Sequence, residues 1–205
     1  MMRMMGNETS LTRRAFVGGL AGLGVWAAMP GRALAAISAS QAESLIGKVV
    51  RDINAIINSG ASEATMIKRF EDVFAKYADV NFIALSALGP DGRSASAAQK
   101  SAFVKAFRTY MARRYGSRFR EFEGGRIDVV STTQVKTRFE VLTKTTLRGH
   151  SPFDVVFVVA AKNGKFIDMQ VEGISIVKSE RKEIGAMLDR RKGDLDRLIA
   201  DLKKG

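Results

Sequence analysis

The spacing of the apolar residues changes near Gly124-Gly125, and this change constrains the fold more than any other feature of the sequence. Before it, apolar side chains recur every three or four residues, as on one face of a helix. After it, residues such as Val, Thr and Phe alternate with polar residues or form short runs, as in strands. Helices followed by strands indicate the α+β class. We therefore predict helices packed on an antiparallel sheet of about four strands.

The helical part of the pattern predicts four helices. Ser40-Gln41-Ala42-Glu43 has the form of a capping box and begins the first helix, which Gly60 ends. Ser62 caps a second helix, and a short third helix covers residues 80–88. The fourth helix begins after Ser96, and we expect it to continue to about residue 122.

The second part of the pattern predicts strands, followed from Ser179 by a return to helix. The last strand has an unusual feature, because its apolar residues change parity after Gly173. A strand cannot change parity without changing faces, so we predict a bulge or sharp bend at Gly173. Asn163-Gly164 is the strongest hairpin turn. The predicted strands are residues 127–131, 135–147, 153–161 and 165–177.

The first 35 residues predict an export signal. Arg13-Arg14 precedes an uncharged stretch from Ala15 to Met29, and a bilayer span needs a longer run of about 20 residues. Ala33-Leu34-Ala35 provides the small residues of a cleavage site, and the paired arginines indicate the twin-arginine route. The alternative is an uncleaved N-terminal anchor. Cleavage would leave residues 36–205 as one domain in the periplasm.

The composition excludes several kinds of chemistry. The absence of cysteine excludes disulfides, thiolate metal sites and a cysteine nucleophile, and the single His150 excludes a multi-histidine metal site. The sequence has no dinucleotide-binding fingerprint, phosphate loop or nucleophile elbow. We therefore predict no metal and no cofactor.

The formal net charge of +12 indicates an anionic partner or surface. An export signal argues against nucleic acid and favours transient contact with a membrane surface. The basic residues concentrate on the fourth helix and at the C-terminus: Arg108, Arg113, Arg114, Arg118, Arg120, Arg190, Arg191, Lys192, Lys203 and Lys204.

Two carboxylates, Asp168 and Glu172, lie four residues apart on a predicted strand and therefore on one face. Paired carboxylates can perform acid–base catalysis, but a solvated strand face is the more common role for such residues. An exported enzyme would need a buried acid or base, for which the candidates are Asp154, Asp168 and Tyr110. Another alternative is an envelope interaction protein without a ligand.

The sequence also contains more apolar surface than one sheet face needs. Both parities of residues 153–161 are apolar, and the helices add several aromatic side chains. From the residues alone, two interpretations stay open. One is an ordinary core with a strand buried on both faces, and the other is an apolar cavity that binds lipid.

Several motifs, in their order and spacing, resemble a known family. These are Tyr77-Ala78-Asp79-Val80-Asn81-Phe82, the opening of the fourth helix with Phe103 and Phe107 four apart, and residues 168–177, DMQVEGISIV. The chain thereby resembles the toluene-tolerance family, the periplasmic phospholipid-binding components of the Mla lipid-transport pathway. It differs in having Gly164 where the family usually has tryptophan, and Ser179-Glu180-Arg181 where Asn-Tyr-Arg is usual.

The resemblance implies a curved antiparallel sheet of the nuclear-transport-factor type, with helices that enclose the acyl chains of a phospholipid. The implied role is a carrier rather than an enzyme. Its implied partners are an outer-membrane lipoprotein complex and an inner-membrane ABC transporter complex. The bend at Gly173 would widen the sheet. Periodicity selects the predicted lipid-binding residues: Phe70, Phe74, Phe82, Phe103, Phe107, Tyr110, Val155, Phe157, Val159, Met169, Val171 and Ile174.

Overall fold

The structure, a computed structural model, describes residues 36–204, so the predicted export signal in residues 1–35 lies outside it. No helix within the described range has the length and apolar content needed to cross a bilayer. The α-helices are α1 (Ala39–Ile57), α2 (Glu63–Tyr77), α3 (Val80–Leu88), α4 (Ala97–Gly116), α5 (Ile176–Asp189) and α6 (Leu195–Lys204). The strands are β1 (Arg126–Val135), β2 (Arg138–Thr146), β3 (Phe153–Ala160), β4 (Phe166–Val171) and β5 (Ile174–Ser175).

The five strands form one curved sheet in sequence order, and every neighbouring pair is antiparallel. Helix α1 packs on β1 and β2, while α3 and α5 pack near β4. The side-chain amide of Asn54 satisfies the outer edge of β1 at Ile127, accepting from its N–H at 3.3 Å and donating to its carbonyl oxygen at 3.2 Å. The predicted α+β class and antiparallel sheet are confirmed, with β5 as a short additional strand.

Serine side chains cap α1, α2, α4 and α5, as predicted for α2 at Ser62 and for α4 at Ser96, whereas Asp79 caps α3. The capping box of α1, however, consists of Ser38 and Gln41 rather than Ser40 and Glu43. The backbone N–H of Gln41 donates to Ser38 Oγ at 3.2 Å, and Ser38 N–H donates to Gln41 Oε1 at 2.8 Å. Both quartets have the required spacing, so the sequence pattern alone could not choose between them.

The fourth helix is shorter than predicted. Helix α4 ends at Gly116, and residues Ser117–Phe122 form a 3-10 helix, which we call the rim helix. A Cβ at position 116 would lie 3.1 Å from Ile67 Cα. Glycine therefore allows the end of α4 to approach α2 closely. The rim helix then turns its phenylalanines toward the interior.

The predicted strand over residues 165–177 is wrong beyond Val171. Glu172 and Gly173 both have positive φ, 48° and 81°, and they reverse the chain in a tight turn. Strand β5 pairs back on β4, and α5 begins at Ile176. The parity change therefore marks a hairpin, not a bend within one strand. A Cβ at Gly173 would meet nothing within 4 Å, so the backbone conformation, not space, favours glycine here.

The sheet is irregular at two other positions. The pairing of β1 with β2 shifts register at Val130, and that of β3 with β4 shifts at Ile167. Each bulge adds one residue to its strand and increases the local twist. The bulge at Ile167 explains how Phe166 and Met169, three residues apart, both face the helices.

A filled core lies on the side of α4 that packs against α6. Its largest members are fully buried, with aromatic ring centroids of Phe103 and Phe107 5.7 Å apart. Tyr110 extends this stack, at 6.1 Å from Phe107. We call these residues, with Ile184 and Leu198, the filled core.

Candidate functional site

A cavity of about 460 Å³ lies between the sheet and the helices. Helices α1 and α2 provide one wall, strands β2 to β4 provide the other, and the rim helix borders it. The lining is predominantly apolar. Its apolar members are Val49, Val50, Ile53, Ile57, Phe70, Val73, Phe74, Ile83, Met111, Phe119, Phe122, Ile127, Leu147, Phe153, Val155, Phe157, Phe166, Met169, Val171, Ile176 and Val177.

Strand alternation places the side chains of the sheet wall. Val155 and Phe157 on β3 face the cavity, whereas Val156 between them faces the opposite side of the sheet. Across the register, Val155 pairs with Thr143 and Phe157 with Val141. Both faces of β3 are therefore apolar, but only the face with Val155 and Phe157 borders the cavity.

Half of the predicted lipid-binding residues line this cavity. They are Phe70, Phe74, Val155, Phe157, Met169 and Val171. Their role in binding lipid stays a prediction, but the structure brings them to one site.

The other half lie elsewhere. Phe103, Phe107 and Tyr110 belong to the filled core, and Val159 is fully buried outside the cavity lining. Phe82 on α3 and Ile174 beside the β4–β5 turn are on the surface, 49% and 65% exposed. Periodicity identifies which face of an element is apolar, but it does not show what lies opposite that face.

Sequence reasoning missed much of the helical wall. The stripe of α1 was recognised as apolar, but it was not assigned to the site, although Val49 and Ile53 line the cavity. Phe119 and Phe122 on the rim helix were expected to continue the stripe of α4. Their lining positions depend on the end of α4 at Gly116, which no local signal marked clearly.

Charged and polar groups border the cavity at the rim helix and at the β2–β3 loop, which we call the mouth. Arg118 and Glu121 extend from the rim helix, and His150 comes from the loop; all three are exposed residues that also line the cavity. Neither Arg118 nor Glu121 forms an ion pair or side-chain hydrogen bond within residues 36–204. The site thus combines a charged mouth with a largely apolar interior, which Asp168 and Tyr115 also line.

Two threonines stand on the sheet wall. Thr143 donates its hydroxyl proton to the carbonyl oxygen of Val155 at 2.9 Å. The hydroxyl of Thr145, which is 1% exposed, has no hydrogen-bond partner among the described residues. Burial of an unpaired hydroxyl is unfavourable, so Thr145 is the one residue of the sheet wall with an unmet polar group in the described range.

The carboxylates considered for catalysis have structural contacts. Asp168 accepts from the Ser175 hydroxyl at 2.6 Å and from the N–H of Val177 at 3.1 Å, and so caps the first turn of α5. Glu172 occupies the turn after β4 rather than sharing a strand face with Asp168. Asp154 is exposed and paired with Lys144. The geometry therefore gives the enzyme hypothesis no carboxylate among these three that is free within the cavity.

The most deeply buried carboxylate is Glu180 on α5, which sequence analysis did not select as a site residue. Its Oε1 accepts from the Tyr115 hydroxyl at 2.6 Å and from Arg114 Nε at 3.0 Å, while Oε2 has no partner among the described residues. Burial raises the pKa of Tyr115, and the hydrogen bond to Glu180 adds to the shift. Burial likewise raises the pKa of Tyr110, reinforced by the negative charge of Glu180.

The signal for this cluster was present in the sequence. Glu180 precedes Ile184 and Leu188 at four-residue spacing, which places it on the buried stripe of α5. Tyr115 lines the cavity and Tyr110 belongs to the filled core. Glu180 therefore joins the two regions, but it is not part of the cavity lining.

Three of the five arginines of α4 and the rim helix, Arg108, Arg113 and Arg114, bind to other elements. Arg108 pairs with Glu71 at 2.8 Å, and Arg120 pairs with Glu123 at 3.7 Å. Arg113 donates to the carbonyl oxygens at the end of α6. Within the described range, Arg118 is the one of these five arginines that has no ion pair and no side-chain hydrogen bond.

The arrangement is suited to hold an apolar ligand with a polar end. An apolar cavity of about 150 Å³ holds one benzene molecule, which has six carbon atoms. On that scale a volume of about 460 Å³ holds roughly eighteen carbon atoms, about one fatty acyl chain. No reacting group is positioned along the apolar part of the lining.

Comparison with known proteins identifies the family. A family model described as MlaC protein matches residues 47–204. The solved structure of a phospholipid-binding protein from Ralstonia solanacearum, in complex with a phospholipid, has a similar fold, with a TM-score of 0.66. That likeness covers 78% of this chain and 98% of the other at 16% identity. Because the family model spans most of its length, this chain belongs to the MlaC family.

Proposed function

We propose that this protein binds a phospholipid and carries it through the periplasm. The observation that carries the proposal is the apolar cavity between sheet and helices, about 460 Å³ in volume, in a chain of the MlaC family. The Ralstonia protein of similar fold is a phospholipid-binding protein solved with its ligand, which supports the same ligand class here.

The physical need for a carrier follows from the cost of exposing acyl chains. Each methylene transferred to water costs about 0.8 kcal/mol, so a diacyl lipid with roughly thirty methylenes faces a barrier of up to about 24 kcal/mol. Apolar walls remove much of this cost without specific polar contacts. This explains a lining of Val, Ile, Phe and Met without a catalytic group.

The cavity volume matches about one acyl chain, whereas an ordinary phospholipid has two. We infer that a second chain requires the helices and the sheet to move apart, or that it remains partly outside. The half-buried residues Phe70, Phe153 and Met169 lie on opposite walls and would contact a chain in either case.

The proposed route runs between an outer-membrane lipoprotein complex and an inner-membrane ABC transporter complex, after twin-arginine export and cleavage before Ala36. The net charge of the remaining domain would be +9, which favours brief contact with an anionic membrane surface. Salt should then weaken its association with anionic vesicles.

Lipid binding is tested by native mass spectrometry after incubation with phospholipid vesicles. We expect wild type to retain phospholipid, and Val155→Trp to lose most of it because the larger side chain fills the cavity. Val156→Trp is the matched control, since Val156 is on the opposite face of the same strand. A wild type that retains no phospholipid, or equal retention by the two variants, would contradict the proposal.

Transfer is tested separately with donor and acceptor vesicles. We expect the protein to accelerate the movement of a labelled phospholipid in proportion to its concentration, and Val155→Trp to lose this acceleration. Binding without acceleration would support a storage role and contradict the carrier role.

A further inference from the structure

The polar groups of the cavity are unevenly distributed. Arg118, Glu121 and His150 border its mouth, and Tyr115, Asp168 and two threonines line it from α4 and the sheet, whereas α1 and α2 contribute only apolar side chains to the lining. A ligand with an apolar part and a charged part would therefore be oriented, with its charged part at the mouth. The two rim-helix charges have opposite sign, which is unusual for a site that recognises a simple anion.

Arg118 and Glu121 face the same side. They are three residues apart in a 3-10 helix, and in this geometry side chains at i and i+3 eclipse each other. Both line the cavity, yet they do not pair with each other or with another described residue. The same helix offers a comparison, because Arg120 and Glu123 have the same spacing and do form an ion pair at 3.7 Å. That second pair does not line the cavity.

Thr145 adds a further polar group just inside the mouth. It pairs across the sheet with Phe153, which follows the loop that carries His150. Its hydroxyl is fully buried, lines the cavity and has no partner among residues 36–204. The neighbouring Thr143 shows the alternative, because its hydroxyl is satisfied by the backbone of β3. The Thr145 hydroxyl therefore has a free proton to donate to a ligand oxygen once the ligand displaces the side chains that cover it.

We propose that the mouth selects a zwitterionic phospholipid headgroup, with the phosphate at Arg118, the ammonium group at Glu121 and an ester carbonyl accepting from Thr145. This inference rests on the proposed lipid-binding function and adds the headgroup class. Guanidinium and phosphate form charge-assisted hydrogen bonds, and a carboxylate is the matching partner of an ammonium group. A headgroup that has a phosphate but lacks the ammonium group leaves Glu121 unpaired and close to a second negative charge.

The overall charge of the protein predicts the opposite preference. A domain with a net charge of +9 attracts anionic lipids without regard to the site. Enrichment of a zwitterionic lipid would therefore have to arise from local contacts at the mouth. This opposition makes the preference diagnostic.

The experiment offers the protein vesicles with equal amounts of phosphatidylethanolamine and phosphatidylglycerol that have identical acyl chains. Native mass spectrometry then reports both the total lipid bound and the ratio of the two headgroups. For wild type we expect a ratio of about three in favour of phosphatidylethanolamine, the size of effect that exposed charge pairs give. Glu121→Gln should bring the ratio to one or below, because it lowers the binding of phosphatidylethanolamine and leaves the overall positive charge to favour phosphatidylglycerol.

Further variants separate the three contacts. Arg118→Gln should lower total binding of both lipids about two- to fivefold, and Thr145→Val should lower both about equally. Arg120→Gln and Glu123→Gln are matched controls, since they remove the same charges from the same segment outside the cavity lining. Both controls should retain the wild-type ratio and amount.

The outcomes distinguish this inference from the proposed function. Absence of any bound lipid in wild type would overturn both. Bound lipid with a wild-type ratio near one, or an unchanged ratio in Glu121→Gln, would overturn headgroup selection and leave lipid binding intact. An equal shift in Glu123→Gln would overturn the assignment to Glu121. Binding of free phosphoethanolamine as tight as that of the lipid would overturn selection of a chain-anchored headgroup.

Discussion

The two aromatic regions of the molecule differ in what lies opposite them. In the filled core, Phe103 and Phe107 on α4 have no exposed surface, because α6 and its neighbours occupy the facing space. Across the molecule, Phe70 on α2 packs edge-on against Phe119, with ring centroids 4.9 Å apart, but it also borders the cavity and is only half-buried. Residues of one type therefore serve stability in one region and are available to a ligand in the other.

The difference arises from the layers, not from local sequence. Helix α4 contacts α2, α3 and α6, so a side chain on almost any of its faces meets another helix. Only Met111 and Tyr115 near its end contribute to the cavity lining. Helix α1 faces the curved sheet instead, and the space between them is not filled. The curvature of the sheet thus determines whether an apolar residue lines the cavity or belongs to the filled core.

The largest expected contrast comes from truncating one phenylalanine in each region. Phe107→Ala should lower the free energy of unfolding by about 3–5 kcal/mol, because it leaves a void in a filled core. Phe70→Ala should cost only about 1–2 kcal/mol, since its side chain already borders open space. Urea unfolding measures both changes. Equal losses in the free energy of unfolding would show that the two regions are packed alike and would contradict the difference between them.

Glu180 is where the two regions meet, and its loss should have the next largest effect. Glu180→Ala removes the hydrogen bonds from Tyr115 and Arg114 in a buried setting, so we expect a loss of about 2–3 kcal/mol. Asp154→Ala is the control, because its pair with Lys144 is exposed and should contribute less than about 1 kcal/mol. If Glu180→Ala loses no more unfolding free energy than Asp154→Ala, Glu180 does not join the two regions.

The tyrosines around Glu180 predict a dependence on alkaline pH. Burial first, and then Glu180, raise the pKa values of Tyr110 and Tyr115 above the ordinary value of 10.0. Because the folded-state pKa values exceed those of the unfolded chain, the associated stability is complete below about pH 10. It is lost as pH rises through the folded-state values.

Ultraviolet absorbance of phenolate measures this titration. We expect Tyr110 and Tyr115 to ionise late, and Glu180→Gln to bring the ionisation of Tyr115 to lower pH because the charge is removed. Ionisation of Tyr110 and Tyr115 near pH 10 in the folded protein would contradict the burial of this cluster.

The smallest expected difference in stability is between variants of two threonines on the sheet wall of the cavity. Thr143→Val should cost about 1 kcal/mol, since it removes the hydrogen bond to Val155. Thr145→Val should leave the free energy of unfolding unchanged or raise it slightly, because its hydroxyl has no partner among the described residues. Thermal unfolding without added lipid measures both variants. A larger cost at Thr145 than at Thr143 would show that the Thr145 hydroxyl is satisfied within the protein.

Much of the fold could be predicted from the sequence because its signals are local. The range of α3 was predicted to the residue, and Ser62 and Ser96 were recognised as caps. The change in period near Gly124-Gly125 predicted the order of helices and strands. The errors occurred where two local patterns competed, as at the capping box of α1, or where a turn imitated a bend, as at Gly173.

The site was only half predictable. The same periodicity selected Phe74 and Phe157, which line the cavity, Phe107, which belongs to the filled core, and Phe82, which is exposed. An amphipathic stripe identifies the face that avoids water. It contains no information on whether the opposite element fills the space, because that depends on sheet curvature and helix placement over the whole chain.

The sequence by itself determined the order of helices and strands, most of their caps and turns, and the motifs that resemble a lipid-binding family. The tertiary structure decided which apolar residues border a cavity and that Glu180 is buried between two tyrosines. It also left Arg118 and Glu121 at the cavity mouth without a partner among residues 36–204. The physical reason is the distance along the chain over which each effect acts. Periodicity and capping act over a few residues, whereas an unfilled space depends on elements far apart in the chain that pack against one another.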